Sequence, residues 1–375
     1  MIELLNLEEL GARLRVLDRH LVALLAQRMS IGHQVGLFKQ AKGYPIVRSS
    51  IEEDRLRESR TWAEEEGLNP HFVHALFYFL IDETCKTQIV QLQERADSPQ
   101  FSGEDEEVYY ATLKRNLLTL TECIAPVYDR SYDRAYFATH SYLDFENRML
   151  EQAIALLPDR KLALDLGCAT GGKTFRLARD FSQVIGYDLS PAMIEEAGKK
   201  RLAERSTNAR FEVADLDDGI PQADGSTSMV VMTLGTASDI RKIDQVMKGV
   251  ERILKPGGVA FLSFYNREAL LYRWGFLPWP VSLAAEINLR KHCLDVHFHG
   301  QVFSVYARAY SMVEIQTFLP PSLKLEMALT FPTVSSILPN EVFENDEVRK
   351  TISDLDSRLA ESSTGAYIIA VGKKL

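Results

Sequence analysis

The chain has 375 residues, with 43 lysines and arginines against 52 acidic residues and a formal net charge of −9. This length predicts two domains, and the negative charge disfavours a nucleic-acid-binding face. No uncharged apolar run reaches the roughly 20 residues that cross a membrane, and the acidic N-terminus is unlike a signal peptide. The four cysteines form no C-x-x-C pair, which disfavours a zinc site or a disulfide framework and predicts a reducing, cytoplasmic setting.

An apolar stripe with steps of three and four residues runs from Leu10 to Val35 and predicts one helix over about residues 5–41. Gly43 and Pro45 end it. A helix of this length cannot bury its stripe within a small domain, so the pattern predicts a partner helix from a second copy of the chain. Two further helices are predicted over about 51–66 and 70–95.

Polar residues interrupt the stripes of the first and third predicted helices. Arg28 takes a stripe position, and Lys39 follows about three turns later on nearly the same face. Thr84 and Gln88 stand where the third helix would continue its apolar stripe. Because buried cations need a negative partner, the pattern favours an anion pocket in the bundle. Snorkelling stems or pairing with nearby acids is the alternative.

Residues 5–93, which include LDRHLVALLAQRMSIGHQVGLFKQAKGYPI and GLNPHFVHALFYFLIDETCKTQ, resemble the all-helical chorismate mutases. That family forms an intertwined dimer of three-helix protomers. The resemblance implies that Arg28 and Lys39 grip the substrate carboxylate and ether oxygen, and that Glu52 holds the ring hydroxyl. Thr84 stands where the family often has serine, and Gln88 would donate to the ether oxygen.

Three positions depart from the family pattern. Gly11 replaces an arginine that crosses from the partner protomer, Ile51 replaces a second arginine, and Arg48 replaces an aspartate. Each lost contact to a carboxylate removes about 1.5–3 kcal/mol of binding unless Arg15 or Arg48 compensates. Two interpretations stay open: an active mutase, or a domain kept for dimerisation or ligand sensing.

Residues 94–106 are polar and acidic, which predicts a linker. The predicted division is therefore a helical domain over 1–93, a linker with a connecting helix over 94–124, and a second domain over 125–375. Helices are predicted over about 107–124 and 142–157. The segment between them is rich in aromatic residues, and either closes over a ligand or packs against the sheet; its candidates are Tyr128, Tyr132, Tyr136 and His140.

The sequence from Leu162 to Gly171, LALDLGCATG, predicts a buried strand followed by a tight glycine turn. Two further predicted strands end in Asp188 and Asp215, and a fourth strand, SMVVMTLG, follows. A Pro-Gly-Gly turn leads into a fifth. Acids and glycines at the carboxyl ends of successive parallel strands meet at the edge where open α/β sheets bind ligands.

The pieces LDLGCATGG, GYDLSPAMIEEA, VADL and LKPGGVAFLSF resemble class I S-adenosylmethionine-dependent methyltransferases over residues 125–375. The resemblance implies a Rossmann-like fold with Asp188 on the ribose hydroxyls and Asp215 facing the adenine amino group, beside Leu216. It also implies that the amides around Gly167 and Cys168 meet the methionine moiety. The implied cofactor-binding set is Asp165, Gly167, Cys168, Gly171, Asp188, Leu189, Asp215, Leu216 and Thr233.

Residues 266–300, with Trp274 and Trp279, predict an inserted cap over the acceptor site, or ordinary core. The nearby cluster of His292, His297 and His299 lacks a carboxylate or cysteine frame, so a metal site is disfavoured and one histidine acting as a base is favoured. Alternation in the next strand places Arg308 and Tyr310 opposite Phe303, and Arg308 is a candidate partner for an acceptor carboxylate. The candidate acceptor residues are Tyr128, Tyr132, His140, Trp274, His299 and Arg308.

The sequence as a whole predicts an α + α/β protein: a chorismate mutase-like homodimerising domain fused to a Rossmann-like methyltransferase domain with a cap. The predicted function is methyl transfer from S-adenosylmethionine to a small carboxylated metabolite of the chorismate/prephenate branch, with no metal, nucleic acid or membrane partner. One alternative keeps the methyltransferase with a degenerate helical domain. Another is an enzyme like the carboxy-S-adenosylmethionine synthases, which combine the cofactor with prephenate.

Overall fold

The computed structural model describes residues 7–42, 49–95, 104–129, 137–273, 284–298 and 301–375. The chain divides into two compact units, Met1–Gln100 and Phe101–Leu375. The finer predicted division into 1–93, 94–124 and 125–375 stays a prediction. Within the described residues, no helix is both long enough and apolar enough to cross a membrane.

The first unit is built from three helices, α1 (Leu7–Lys42), α2 (Ser49–Glu65) and α3 (Pro70–Arg95). Helix α3 packs against both others. Among the described side chains of these helices, the buried large ones are few and include Val73 and Ile81. Most of the apolar stripe of α1 is exposed within one chain: Leu14, Leu17, Leu21 and Leu24 are 60%, 62%, 50% and 61% accessible. An exposed apolar face of this kind is typical of an interaction surface.

The second unit is organised on a seven-stranded sheet of order β3-β2-β1-β4-β5-β10-β9. Its strands are β1 (Leu162–Leu166), β2 (Gln183–Asp188), β3 (Ala209–Val213), β4 (Thr227–Met232), β5 (Leu254–Tyr265), β9 (Leu323–Phe331) and β10 (Tyr367–Lys374). The first five are parallel, and β10 runs antiparallel between β5 and β9. The final strand β10 lies inside the sheet, and β9 takes this edge, because the segment after the cap contributes a strand of its own.

Helices cover both faces of this sheet, as near-continuous apolar strands require. The described helices of this unit are α4 (Glu104–Ile124), α5 (Phe137–Ala155), α6 (Gly172–Leu177), α7 (Pro191–Ala203), α8 (Ile243–Ile253), α9 (Leu270–Arg273), α10 (Met312–Phe318) and α11 (Asp346–Arg358). One apolar cluster packs α8 against the sheet, and a second packs α5 on the sheet. The predicted fold class, a helical domain followed by a Rossmann-like α/β domain, is confirmed.

The predicted cap contains a three-stranded antiparallel sheet of β6 (Ala284–Asn288), β7 (Cys293–Phe298) and β8 (Gln301–Tyr306). Helix α4 packs on β8. Leu120 and Ile124 of α4 share an apolar cluster with Met193 of α7 and with Val296 and Val305 of the cap. The cap and α4 therefore form one layer beside the start of α7, which follows the tip of β2.

Candidate active site

The turn after β1 has a left-handed backbone at three positions: φ is +76° at Gly167, +45° at Ala169 and +88° at Gly171. A Cβ added at Gly167 would lie 2.3 Å from Thr236 Cγ2, and one at Gly171 would lie 2.6 Å from the Phe211 ring. Glycine is therefore required at both positions. Its backbone adopts the left-handed conformation, and its missing side chain leaves room for Thr236 in the turn after β4 and for Phe211 of β3.

The amides of this turn are engaged differently from the sequence expectation. The N–H groups of Gly167 and Cys168 both donate to the Tyr187 carbonyl, at 2.7 and 3.0 Å. These two amides therefore fasten the turn to β2. That the amides around Gly167 and Cys168 meet a methionine moiety stays a prediction. The Cys168 side chain is buried, and burial raises the pKa of its thiol well above the ordinary value.

Asp165, at the end of β1, is a buried carboxylate with spare hydrogen-bonding capacity. Its Oδ2 accepts from Thr174 Oγ1 at 2.7 Å, whereas its Oδ1 has no hydrogen-bond partner among the described residues. Burial raises the pKa of Asp165 to about 6, although Thr174 and Lys173 act in the opposite direction. An unsatisfied acceptor at this depth is costly, so it suits a ligand that brings a donor or a positive charge.

We expect Asp165→Asn to stabilise the ligand-free fold while weakening cofactor binding. Because the folded-state pKa lies above the ordinary value of 3.8 for this carboxyl, the group lowers stability progressively as pH rises between about 4 and 6. Asparagine removes this effect, so the gain in unfolding free energy should be near zero below pH 4 and about 3 kcal/mol well above pH 6. Urea unfolding of both proteins across this pH range measures the difference, and a gain independent of pH would contradict it.

Asp188 joins the tip of β2 to the glycine turn. Its Oδ2 accepts from the Ala169 N–H at 2.8 Å, and its Oδ1 accepts from the Ser190 N–H at 2.9 Å. Ser190 in turn caps α7 by accepting from Met193 N at 3.3 Å. The carboxylate is thereby held in one orientation, with lone pairs left for two hydroxyl donors. Burial raises its pKa.

Asp215, at the tip of β3, pairs with a lysine from an earlier helix. Its carboxylate forms an ion pair with Lys114 of α4, and its Oδ1 accepts from Asp217 N at 3.1 Å. The adjacent Leu216 packs against the core below the sheet. In this structure a lysine therefore holds the carboxylate that was expected to face an adenine.

The turn after β4 is the third segment at the same sheet edge. Thr233 is buried, and its carbonyl accepts from the Thr236 N–H at 3.0 Å and the Thr236 hydroxyl at 2.6 Å. Leu234 and Gly235 are left-handed, with φ of +54° and +83°. Because Thr236 abuts Gly167, the turns after β1 and β4 are in contact. The structure thus brings Asp165, Asp188 and Thr233 to one edge, with Leu189 following Asp188.

The candidate acceptor residues are only partly described. The Arg308 guanidinium lies 4.9 Å from the centre of the Tyr310 ring and 3.7 Å from Glu314 Oε1, and its backbone N–H donates to the Ser238 carbonyl at 2.8 Å. Arg308 is therefore placed beside the turn after β4. Tyr128 packs with the apolar cluster of α4 and the cap, and His140 is exposed. Four candidates lie outside the described residues: Tyr132, Tyr136, Trp274 and His299.

His292 is half-buried, and burial, followed by Arg308, lowers its pKa. The side chain of His297 is not among those that the structure describes. Across the described residues, no group of three or more histidine, cysteine or acidic side chains is arranged to hold a metal ion.

In the helical unit, the structure brings two of the five predicted pocket residues together. Arg28 Nη1 donates to Thr84 Oγ1 and to the Leu80 carbonyl, both at 2.6 Å. Thr84 also crowds Gly32, where an added Cβ would lie 2.3 Å from Thr84 Cγ2. The side chains of the other three, Lys39, Glu52 and Gln88, lie outside the described residues.

Three charged residues near the sheet edge escaped the sequence analysis. Lys114 engages Asp215, Glu146 is fully buried on α5, and Asp239 is an exposed acid directly after Ser238. A charged residue on an amphipathic helix is usually solvated, so nothing in the sequence around Lys114 indicates that it contacts Asp215. For Glu146 the signal was its place among Tyr142, Phe145 and Met149, which are buried on the same helix.

Two family models match the chain. The chorismate mutase type II model matches residues 10–89, and the methyltransferase domain model matches residues 163–258. These matches coincide with the helical unit and with the segment from β1 into β5.

Individual relatives match parts of the second unit. Cypemycin N-terminal methyltransferase from a Streptomyces species is 31% identical over 36% of this chain and 56% of its own length. Trans-aconitate 2-methyltransferase from Deinococcus radiodurans is 39% identical over 21% of this chain and 31% of its own length. The chain thus spans about half the length, or less, of these curated relatives. A crystal structure of an S-adenosylmethionine-dependent methyltransferase from Clostridium acetobutylicum superposes with a TM-score of 0.44 at 17% identity, covering 62% of this chain and 92% of that chain.

Proposed function

We propose that this chain, which joins a chorismate mutase type II domain to an S-adenosylmethionine-dependent methyltransferase domain, transfers a methyl group to a small carboxylated acceptor. The observation that carries the proposal is the meeting of Asp165, Asp188 and the glycine turn at one sheet edge. The cofactor supplies an electrophilic methyl group on a sulfonium, so the protein mainly has to align the reactants and exclude water.

Different residues of this edge are proposed to bind the ribose, the methionine moiety and the adenine of the cofactor. Asp188 accepts from the ribose hydroxyls, since its backbone partners already fix its orientation. The free Oδ1 of Asp165 accepts from the amino group of the methionine moiety. Leu189 and Leu216 border the adenine, and Asp215 reaches its amino group once Lys114 moves aside. Thr233 supports the turn that closes the methionine end, together with Gly167, Cys168 and Gly171.

The acceptor is proposed to bind between the cap and the turn after β4. Arg308 is held beside that turn by its own backbone and is 41% exposed, so its guanidinium can pair with a carboxylate. The trans-aconitate relative acts on a small carboxylate according to its name, which agrees in charge with this arginine. Tyr128, Tyr132, His140, Trp274 and His299 complete the proposed acceptor set.

The helical domain is proposed to form a homodimer and to bind a carboxylated ligand with Arg28, Lys39, Glu52, Thr84 and Gln88. The exposed leucine stripe of α1 supports the dimer. Because the two domains are joined in one chain, we propose a prephenate-related molecule as the first acceptor to test. Gly11 and Ile51, which replace two arginines, favour the second candidate, in which this domain senses or dimerises without catalysing. A carboxy-S-adenosylmethionine synthase-like reaction with prephenate is the remaining alternative.

The proposal is tested by incubating the full chain with methyl-labelled S-adenosylmethionine and, separately, chorismate, prephenate, phenylpyruvate and 4-hydroxyphenylpyruvate. Label in one of these acceptors is expected, and it should be absent with Asp188→Ala. Mass spectrometry of the nucleoside product identifies a carboxylated cofactor, and loss of chorismate absorbance reports mutase activity. Binding of the cofactor without label in any acceptor would contradict the pathway assignment, and no binding would contradict the methyltransferase proposal itself.

A further inference from the structure

A fully buried carboxylate on α5 links two segments of the sheet edge. Glu146 Oε1 accepts from the Leu234 N–H at 2.8 Å and from the Tyr142 hydroxyl at 2.9 Å. Its Oε2 lies 3.0 Å from Lys173 Nζ, an ion pair in which the lysine side chain is 13% exposed and the glutamate 0%. One side chain thus contacts the turn after β4 and the start of α6.

Both contacted segments are parts of the cofactor edge described above. Lys173 comes two residues after Gly171, whose left-handed backbone ends the glycine turn. Leu234 follows Thr233, and it adopts a left-handed backbone without being a glycine. A non-glycine residue in this conformation costs free energy and persists only where its surroundings fix it. The Glu146 carboxylate provides that fixation by accepting the Leu234 N–H.

A second buried hydroxyl extends the network to the next residue of the turn. Ser263 Oγ, on β5, accepts from the Gly235 N–H at 2.9 Å and lies 2.5 Å from the Tyr142 hydroxyl oxygen. Burial, followed by the nearby Glu146 charge, raises the pKa of Tyr142 well above its ordinary value, so the phenol keeps its proton and donates. Two consecutive amides of the turn are therefore anchored on connected side chains.

Burying a carboxylate costs more free energy than a purely structural contact would require. A buried carboxylate is stabilised only if ion pairs and hydrogen bonds replace its hydration, and an apolar side chain at this position of α5 would avoid the cost. The location of Glu146 accounts for a buried carboxylate here. The glycine turn and the turn after β4 flank the methionine end of the proposed cofactor site, and Glu146 sets the spacing between these two turns.

We propose that Glu146 is a positioning residue for the methionine end of the cofactor site, acting through Leu234 and Lys173. The proposal rests on the proposed binding of S-adenosylmethionine. It distinguishes the two ends of the ligand. Within the described part of the chain, the ribose partner Asp188 bonds to Ala169 and Ser190, and the adenine neighbour Asp215 to Lys114 and Asp217, none of which belongs to this network.

The test compares two ligands in the full chain by calorimetric and competition titration. S-adenosylhomocysteine carries the amino acid part, and 5′-methylthioadenosine lacks it. In Glu146→Ala we expect the affinity for S-adenosylhomocysteine to fall about ten- to a hundredfold, as for loss of a charged hydrogen-bonding partner. Affinity for 5′-methylthioadenosine should change less than threefold.

Two further variants separate a specific loss of affinity from a general loss of folded protein. Glu146→Gln retains an oxygen for the Leu234 N–H and is expected to recover most of the lost affinity. Glu151→Gln, on the same helix, removes only an exposed partner of Arg176 and should change neither affinity. Thermal unfolding of each variant identifies loss of fold.

An equal loss of affinity for both ligands in Glu146→Ala and Glu146→Gln would overturn the positioning role and leave the methyltransferase proposal standing. Failure of the parent chain to bind either ligand would instead reject the proposed function, and the positioning role with it.

Discussion

Asp188→Ala is expected to weaken S-adenosylmethionine binding by about a hundredfold or more. The side chain is proposed to accept from both ribose hydroxyls, and hydrogen bonds to a charged group contribute about 1.5–3 kcal/mol each. The substitution also removes the acceptor of the Ala169 and Ser190 amides, which releases the glycine turn from the tip of β2. Isothermal titration calorimetry of the full chain measures the change in dissociation constant.

A matched acid provides the control for this experiment. Asp224 is an exposed carboxylate that pairs with Arg252, so Asp224→Ala removes the same charge without touching the edge of the sheet. Its dissociation constant should equal that of the parent. Asp188→Asn should be intermediate, because the amide oxygen still accepts one hydrogen bond whereas its nitrogen cannot. If Asp188→Ala bound the nucleoside within threefold of the parent, the ribose role would be rejected.

The positions of the parallel strands and the acids at their tips were predictable from the sequence because they depend on short-range patterns. Apolar runs of five or six residues, each ended by an acid or a glycine, predict parallel strands and the edge they share. The structure has these strands where they were expected, with β1 over Leu162–Leu166 and β2 ending at Asp188. Helix bounds also agree, since α1 ends at Lys42, next to Gly43 and Pro45.

The roles of individual groups were less predictable because they depend on register and on distant segments. The Gly167 and Cys168 amides donate to Tyr187 because β1 pairs with β2 in a register that aligns Leu166 with Tyr187. The partner of Asp215 is Lys114, about a hundred residues earlier, on a helix that the sequence assigned only to a connection. Glu146 contacts Leu234 through the sheet packing of α5, which no local pattern encodes.

The cap shows a similar limit. Its strand β8 was anticipated from the alternation around Phe303, but its packing with α4 depends on contacts between segments nearly two hundred residues apart. Asn116 of α4, for example, donates to the Ser304 carbonyl at 2.9 Å. Such contacts determine which side chains border the acceptor, and this is why the acceptor class rests on Arg308 and on the helical domain rather than on a motif.

The double substitution Leu17→Glu with Leu21→Glu is expected to convert a dimer into a monomer. Both leucines lie on the apolar stripe of α1 and are 62% and 50% exposed in one protomer, and burying a leucine contributes about 1.5–3 kcal/mol. Two carboxylates in a helix–helix contact would also be desolvated without partners. The mass from light scattering should fall from twice the 42.4 kDa chain mass to the chain mass itself.

The control for this pair is Arg19→Glu, an exposed position on the same helix that lies between the two leucines in sequence but off their face. It should remain a dimer. Because the leucines belong to the helical unit and Asp188 to the other, S-adenosylmethionine binding should survive in the monomer, whereas any chorismate turnover should be lost if its pocket needs residues from both protomers. A parent chain that is already monomeric at micromolar concentration would contradict the dimer, and it would leave the exposed leucine stripe to a different partner.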